Sequence, residues 1–423
     1  MKLDRSIPVP SQRINVIDAL RGFALLGVIL MHMLQYYGYT SPFTLEEIKF
    51  PGLDMMIRWF SSRVISGRFI NIFSFLFGLS FFIQMDRASK KGIDFRGRFL
   101  WRMALLFVIG LVGSAFTYVD ILTFYAIFGV ILVFLYPLKK WILFLIVCFL
   151  LSGIPYMTII GFNNIRMEHT TTVNPSLMPE PSDKESMAST APAENARVPD
   201  SSFFETVKDN LTTKTIDKLQ FQFVFTPRGH ATLALFILGF IVGRLRFFEE
   251  VNIRRKRNLN LFVGFLLASI ITEVTIHLIQ PKSPINLIEH IAKGIEIPFI
   301  EIITINLKVF GSLLQSGTYA LGFIILYQTR GVGKYLDLLS SYGRMGLTNY
   351  EIQGVVGAIL FSTWGFGAIF GRWGATELFL FGLIIYTTQI IISKCWMKHF
   401  LYGPLEWLWR SGTYLRWQPI KRK

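Results

Sequence analysis

Long apolar runs separated by short polar stretches dominate the pattern of this 423-residue chain. A helix needs about 20 mostly apolar residues to cross the hydrocarbon core of a bilayer. We expect about ten such helices, near 14–36, 64–84, 99–117, 119–136, 140–162, 229–247, 258–279, 297–327, 346–364 and 373–396. The pattern therefore predicts an all-α fold, a polytopic transmembrane helical bundle.

Composition supports lipid as the solvent of this bundle. Hydrophobic residues make up 52% of the chain and charged residues only 17%, whereas soluble domains carry about 25% charged residues. The net charge of +16 lies in short loops beside the apolar runs, which favours anionic lipid headgroups or cofactor phosphates as partners over nucleic acid.

The basic loops also predict the orientation, because Lys and Arg accumulate on the cytoplasmic side of a membrane. Loops 85–102 and 244–257 each carry six basic and two acidic residues. Placing both loops inside puts both termini in the cytoplasm and residues 163–228 outside. The run 297–327 is long enough for one tilted span or for an interfacial helix with a shorter span, and two helices there would change the side of everything that follows.

Residues 163–228 divide the chain into two membrane halves. The N-terminal half, 1–162, holds five predicted spans. The C-terminal half, 229–423, holds the other five and ends in a basic and aromatic tail at 397–423, which we expect in the cytoplasm.

Within the extracytoplasmic segment, composition changes at about residue 203. Residues 170–202 are rich in Ser, Thr, Pro and charge, which predicts a flexible segment because little apolar surface can be buried. Residues 203–225 space apolar side chains like a helix, and this segment is either an amphipathic helix on the membrane surface or a lid over the mouth of the bundle.

The first helix carries the richest set of polar side chains. Asp18 and Arg21 are three residues apart and share a helix face, where they can pair. His32 returns to within about 20° of that face and lies about 16 Å further along the axis. An ordinary structural interpretation competes with this one: the ion pair clamps the helix start, and His32 is an interfacial side chain.

Asp120 lies in the predicted outer turn between the third and fourth spans, at about the depth of His32. A carboxylate there could orient the imidazole and raise its basicity. It could equally cap the fourth helix, because acceptors are favoured at that position.

Other polar residues in the spans have a structural explanation. Glu273 and His277, four residues apart, are expected to form interhelical hydrogen bonds. Asn349, near the start of the ninth predicted span, has the same explanation, whereas Arg68 and Asn71 are less easily explained by packing. Cys148 and Cys395 lie in predicted helices, so neither a disulfide nor a metal site is expected, and no motif of a soluble enzyme is present.

Five segments of the chain resemble the bacterial YeiB-like family, domain of unknown function 418: Ile17 to Gly27, Gly67 to Gly78, Asp120 to Gly129, Gly343 to Gln353 and Tyr402 to Arg410. The resemblance covers nearly the whole chain apart from 163–202. It implies a multi-pass protein of the bacterial inner, or cytoplasmic, membrane. The first helix is also similar to that of transmembrane acyltransferases, in which an Arg is followed by ten residues and a His, as in Arg21 and His32.

This resemblance implies acyl transfer across the membrane. Acyl-CoA, with acetyl-CoA as the simplest donor, would bind from the cytoplasm, and the acceptor would be a hydroxyl or amine of an envelope glycan or lipid. His32 is the candidate catalytic base or acyl carrier, and Asp120 would orient it. The candidate cofactor-binding residues are Asp18, Arg21, Arg68, Asn71, Arg102, Arg344 and Asn349, with Asn71 or Asn349 as a group that polarises the carbonyl.

Two alternatives use the same residues differently. In a transporter or permease, Asp18, Arg21, Glu273 and Glu301 would line a path for a small solute, although the inverted repeats typical of transporters are not evident. In a non-catalytic membrane scaffold, every buried polar group would be structural. The acyl group, the acceptor and a homo-oligomeric state are left open.

Overall fold

The computed structural model describes residues 14–37, 49–117, 120–173, 202–251, 253–281, 285–293 and 295–422. Within these ranges the chain is all-α, and its β-structure is limited to an isolated bridge between Phe400 and Lys421. The helices are α1 (Asn15–Met31), α2 (Pro51–Phe60), α3 (Arg68–Ser89), α4 (Arg96–Phe116), α5 (Leu122–Leu135), α6 (Lys140–Leu151), α7 (Ile154–Val173), α8 (Phe203–Leu211), α9 (Thr213–Gln220), α10 (Arg228–Arg244), α11 (Arg255–Ile279), α12 (Leu287–Lys293), α13 (Phe299–Tyr327), α14 (Arg330–Leu336), α15 (Leu338–Arg344), α16 (Gly346–Phe361), α17 (Gly367–Phe370), α18 (Ala375–His399) and α19 (Pro404–Tyr414). Short π-helical turns continue α1, α2 and α9 over His32–Tyr37, Ser61–Ile65 and Phe221–Phe225.

Six helical segments in the described ranges are long and apolar enough to cross a bilayer, or eight if each of two bent pairs counts as one span. The chain is therefore a multi-pass membrane protein. The predicted runs 119–136 and 346–364 form shorter helices, α5 and α16, and the expectation of ten spans with both termini in the cytoplasm stays a prediction. The run 297–327 forms one continuous helix, α13, of 29 residues.

The first span, α1, lies at the centre of the bundle. Leu20, Leu25 and Ile29 are fully buried, and the helix packs against α3, α13, α15, α16 and α18. A helix that is apolar on all sides can be enclosed in this way by other helices. Polar side chains on α1 are therefore held among neighbours from both halves of the chain.

Helices α3 and α10 run parallel and in very close contact. An added Cβ at Gly78 would lie 1.9 Å from the Phe236 carbonyl oxygen, and one at Gly239 would lie 2.0 Å from that of Phe75. Only the absence of a side chain allows backbones to approach this closely. An added Cβ at Gly67, just before α3, would lie 3.5 Å from Arg228 at the start of α10, and one at Gly243, at the end of α10, would lie 2.5 Å from Phe82, further along α3. The two helices therefore run in the same direction and start at the same end of the bundle.

The segment after the fifth predicted span differs in detail from the prediction. Helix α7 continues to Val173, eleven residues beyond the predicted end at 162, and residues 174–201 of the predicted flexible stretch lie outside the described ranges. The single helix predicted over 203–225 is two helices divided at Thr212. Helix α8 begins with a capping box between Ser202 and Glu205 and packs against α4, where the buried Asn210 amide donates to the Ala115 carbonyl at 3.1 Å.

Candidate functional site

The Asp18–Arg21 pair forms as the helical spacing predicts. One guanidinium nitrogen of Arg21 lies 2.8 Å from Asp18 Oδ1, and another donates to the Ser80 hydroxyl of α3 at 2.9 Å. The Arg21 side chain remains 22% exposed and that of Asp18 8% exposed. Arg21 therefore links α1 to α3 and still offers part of its guanidinium to a ligand.

Two glycines bring α15 against the same turn of α1. An added Cβ at Gly22 would lie 2.4 Å from the Leu339 carbonyl oxygen, and one at Gly343 would lie 1.9 Å from that of Asp18. This backbone contact places the neighbouring Arg344 beside Arg21, although 323 positions separate them in the sequence. Arg344 is steadied by the Leu401 carbonyl, which accepts its hydrogen bond at 3.3 Å.

A cavity of about 320 Å³ opens beside this pair of helices. Its described lining includes five arginines and only two carboxylates: Arg21, Arg87, Arg102, Arg344 and Arg410 against Asp18 and Glu406. Further from these charges the walls are mostly apolar and aromatic, formed by Phe73, Phe77, Met103, Leu106, Leu122 and Tyr125. The cavity thus joins a basic mouth to an apolar interior.

Helix α19, from the predicted tail, forms one wall of the mouth. The Arg102 guanidinium stacks 3.5 Å from the Trp409 ring centroid, and the indole nitrogen of Trp409 donates to the Arg102 carbonyl at 2.9 Å. Arg410 lies 5.1 Å from the Tyr402 ring centroid. The aromatic rings hold both guanidiniums in place without neutralising their charge.

Glu406 anchors α19 to the start of α16. Its carboxylate accepts from the backbone nitrogens of Leu347, at 2.7 Å, and Thr348, at 3.1 Å, and from the Thr348 hydroxyl, at 2.5 Å. An acceptor at a helix start satisfies N–H groups that have no partner within the helix. Burial raises the pKa of Glu406 despite these bonds. Glu406 therefore holds α19 against α16. Because its carboxylate is engaged in these bonds, it offsets the positive charge of the arginines only in part.

The inner end of the cavity is formed by two tyrosines. The Tyr125 hydroxyl lies 2.6 Å from the Ser74 hydroxyl, which ties α5 to α3. Tyr350, on α16, has its ring edge against His32, with ring centroids 5.6 Å apart. His32 is buried, with 8% exposed; it contacts Tyr350, which lines the cavity, and is not itself part of the described lining.

Asp120 occupies the turn before α5 and is connected with Tyr350. The Tyr350 hydroxyl hydrogen-bonds to Asp120 and accepts from the Ile121 backbone nitrogen at 3.1 Å. One Asp120 oxygen also accepts from the Leu122 and Thr123 backbone nitrogens, at 3.1 and 3.4 Å. The structure thus shows the capping geometry, while Tyr350 stands between Asp120 and His32; orientation of the imidazole by Asp120 stays a prediction.

A second buried acid, Glu351, lies close to Asp120 and was missed by the sequence analysis. An added Cβ at Gly113 would lie 2.6 Å from a Glu351 carboxylate oxygen. Lys218, from α9, donates to the Asp120 carbonyl at 3.1 Å and is the cation that interacts with this acid. Helix α9 therefore covers the end of the bundle where Asp120 and Glu351 lie.

The structure separates the other candidate residues from the cavity. Arg68 lies at the start of α3, where it donates to the Gln315 amide oxygen at 2.6 Å. Asn71 donates to the Ser316 hydroxyl of α13 at 3.2 Å. Asn349 donates to the Ser393 hydroxyl at 3.0 Å, within a buried network with Tyr342, Gln353 and Gln389. None of the three is part of the cavity lining in the described chain, so a role in cofactor binding stays a prediction for them.

Several cavity residues were not selected from the sequence. Arg87 was visible only as one member of a basic loop, whereas Glu406, Trp409 and Arg410 belong to the Tyr402 to Arg410 segment that carries part of the family resemblance. Clustering of this kind across the chain depends on the packing of helices. No local period in the sequence indicates it.

Comparison with known proteins divides the chain in two. Residues 13–181 match a family model described as "Heparan-alpha-glucosaminide N-acetyltransferase, catalytic", and residues 242–416 match one described as "Protein of unknown function (DUF418)". Residues 13–181 contain Arg21, Arg87 and Arg102, and residues 242–416 contain the remaining arginines of the cavity. Thus both matched regions contribute to one site.

Relatives match along the whole chain as well as locally. A protein of Bacillus acidopullulyticus, "Uncharacterized 39.9 kDa protein in amylase 3'region", is 27% identical over 97% of both chains. "Uncharacterized protein YxaH" of Bacillus subtilis is 26% identical over 98% of this chain and 97% of its own. "Uncharacterized protein YeiB" of Escherichia coli is 35% identical over 19% of this chain and 20% of its own.

The resemblance to the YeiB-like family is confirmed. The expected similarity of this chain to a transmembrane acetyltransferase family is also found. It lies in residues 13–181, which contain Arg21 and His32. No solved structure matches the chain. The cavity is lined by residues of both matched regions.

Proposed function

We propose that this YeiB-like protein is a membrane acyltransferase, which moves an acyl group from cytoplasmic acyl-CoA to a hydroxyl or amine of an envelope glycan or lipid on the far side of the bacterial inner membrane. The observation that carries the proposal is the cavity, whose basic mouth leads through an apolar interior to Tyr350 and His32. The match of residues 13–181 to the catalytic region of an acetyltransferase family supports it.

The charge of the mouth fits the nucleotide end of CoA, which carries a diphosphate and a further phosphate. Guanidinium groups bind phosphate oxygens in pairs, and Arg21, Arg87 and Arg344 line the mouth together with the two ring-stacked arginines. The Trp409 face, already occupied on one side by Arg102, offers a surface of the kind on which nucleotide bases stack. We expect the adenine and phosphates at this wall.

The interior of the cavity fits the thioester arm. Ligand sites commonly enclose about 300–1,000 Å³, so a cavity of about 320 Å³ can hold a pantetheine chain while the nucleotide stays in the mouth. Its apolar walls disfavour water, which limits hydrolysis of the thioester.

The basic loops support a cytoplasmic mouth. Arg87 and Arg102 both line the cavity, and both belong to loop 85–102, which the positive-inside rule places in the cytoplasm. His32 lies about 16 Å from Arg21 along α1, towards the far side. A donor can then enter from one side while the acceptor approaches from the other.

The chemical step needs a base near the thioester carbonyl. We expect a nitrogen of His32 to take the proton of the acceptor hydroxyl or amine while its oxygen or nitrogen attacks the carbonyl carbon. The carbon–sulfur bond then breaks, and the imidazolium returns the proton to the CoA thiolate. Tyr350 lines the cavity and contacts His32. The Tyr350 side chain must therefore turn aside when the thioester arm binds.

The test uses purified protein with acetyl-CoA labelled in the acetyl group. We expect CoA to bind and label to pass to an envelope lipid or glycan extract, and we expect His32→Ala to remove transfer at least 100-fold while leaving CoA binding intact. His277→Ala is the matched control, because His277 is an exposed imidazole on α11. Label transfer that is unaffected by His32→Ala, or failure to bind CoA, would refute the proposal.

A further inference from the structure

A second basic cluster lies at the end of the bundle opposite the cavity mouth. Helix α3 carries Arg87 in the mouth and Arg68 at its first residue, and the 19 positions between them correspond to about 28 Å of helix. Because α10 runs parallel to α3, its first residue, Arg228, lies at the same end. An added Cβ at Gly67 would be 3.5 Å from the Arg228 guanidinium.

At this end, Arg68 interacts with two further guanidiniums and with one carboxylate among the described residues. Arg68 lies within electrostatic range of Arg63, Arg228 and Glu273. Arg63 pairs with Glu273 at 2.6 Å, on side chains that are 58% and 42% exposed. The helix starts of α3 and α10 add positive ends of two backbone dipoles. The cluster therefore has an excess of positive charge that the described side chains do not balance.

The hydrogen-bond donors of the cluster are only partly used. Arg68 donates to the backbone carbonyls of Ser62 and Ser66, at 3.1 and 2.5 Å, so its position is well defined. The Arg228 guanidinium makes no hydrogen bond or ion pair with the described residues, and its aromatic neighbour is Phe221, at 5.8 Å. A guanidinium fixed by its helix but lacking an acceptor is suited to an oxyanion.

The surface that leads to the cluster is apolar. Helix α2 exposes Met55, Met56 and Trp59, which are 70%, 66% and 63% exposed. Its opposite face is attached to α18 by the buried Asp54, which accepts from the backbone nitrogen of Thr376 at 2.8 Å. The exposed face is continuous with the turn Ser61–Ile65, which carries Arg63. In a membrane protein an apolar face of this kind contacts lipid chains. The ligand of the arginines is then expected to arrive from the bilayer.

We propose that Arg63, Arg68 and Arg228 form a binding site for the phosphate group of an anionic membrane lipid, whose acyl chains lie along the exposed face of α2. The site is separate from the cavity and does not depend on acyl transfer. Charge and a surrounding apolar surface together distinguish a lipid phosphate from a soluble anion.

The experiment measures binding of dioleoyl phosphatidylglycerol to the purified full-length protein in detergent, by native mass spectrometry, with dioleoyl phosphatidylcholine as the zwitterionic reference. We expect a preference for phosphatidylglycerol and a loss of about tenfold in affinity on Arg228→Gln, the size of one charge-assisted contact. Arg255→Gln is the matched control, because Arg255 is an exposed arginine at the start of α11, away from α2 and outside the set that interacts with Arg68; we expect less than a twofold change.

A second variant changes the affinity in the opposite direction. Glu273→Gln releases Arg63 and should strengthen phosphatidylglycerol binding about two- to fivefold, which keeps the test decisive if Arg228→Gln fails to fold. Equal losses from Arg228→Gln and Arg255→Gln would show diffuse surface attraction and overturn the proposal. Displacement by inorganic phosphate at low millimolar concentration would overturn it too, because the site would then take a soluble anion.

Discussion

The proposed CoA site can be tested by removing each charge of the Asp18–Arg21 pair in turn. The two substitutions should change CoA affinity in opposite directions. Arg21→Gln removes a guanidinium from the cavity and leaves the Asp18 carboxylate, 8% exposed, without its 2.8 Å partner. Asp18→Asn instead removes the acid, and Arg21 keeps its hydrogen bond to Ser80. The double variant removes both charges and returns the local net charge to its original value.

The magnitudes follow from the geometry. Loss of one guanidinium–phosphate contact costs about 2 kcal/mol. An Asp18 carboxylate about 7 Å from a phosphate, at an effective dielectric constant near 20, adds about 2 kcal/mol of repulsion, which we halve to about 1 kcal/mol because Arg21 and the mouth are open to solvent. Because this repulsion is already present in the wild type, we expect CoA affinity to fall about 30-fold in Arg21→Gln, to rise about fivefold in Asp18→Asn and to fall about fivefold in the double variant.

The assay is isothermal titration calorimetry of CoA into the purified protein at two salt concentrations. Arg255→Gln serves as the control, because Arg255 is an exposed arginine that does not line the cavity. The differences between the variants should shrink at high salt, since charges near solvent are screened.

One result would refute this reasoning directly. If Asp18→Asn weakens CoA binding as much as Arg21→Gln, the pair acts only as a structural clamp. Elution profiles and thermal midpoints of all four proteins distinguish that case from general unfolding.

Three further predictions concern the framework of the site. Glu406→Ala should lower stability by about 3 kcal/mol, because donors from Leu347 and Thr348 lose their acceptor, measured as a drop in thermal midpoint together with weaker CoA binding. Glu406→Gln should keep an acceptor for these donors. Burial raises the Glu406 pKa, so folding favours the neutral acid, and the thermal midpoint of the wild type should fall relative to that of Glu406→Gln as pH rises above about 4.5. Thermal midpoints of the two proteins that change with pH in the same way would contradict this. Gly78→Val should prevent normal packing of α3 on α10, since its Cβ would meet the Phe236 carbonyl oxygen at 1.9 Å; native-like yield and midpoint would show that the helices can separate without cost.

Much of the fold was accessible from local sequence patterns. The apolar runs predicted where long helices lie, because hydropathy and the α-helical period act over neighbouring residues. The same period placed Asp18 and Arg21 on one face, and the ion pair is formed. The resemblance to the YeiB-like family was also visible in short motifs and is confirmed.

The details of the loops were predicted less well. Helix α2 and the short helices α12, α14, α15 and α17 are too brief to stand out in a hydropathy pattern. The segment 203–225 was expected as one helix, but it divides at Thr212, and its first part, α8, packs against α4. Contacts made elsewhere in the bundle determine such breaks.

The sequence by itself determined that this chain is a helical membrane protein with a polar first span and a resemblance to the YeiB-like family. Only the tertiary structure decided which charges share a site: it brings Arg344 and Arg410 to Arg21, and it places Arg68 at the opposite end of the bundle. The physical reason is that helix formation depends on neighbours in sequence, whereas the contact of Gly22 with α15, or of Trp409 with Arg102, joins residues about 300 positions apart. Such contacts depend on shape complementarity between whole helices, which no local pattern encodes.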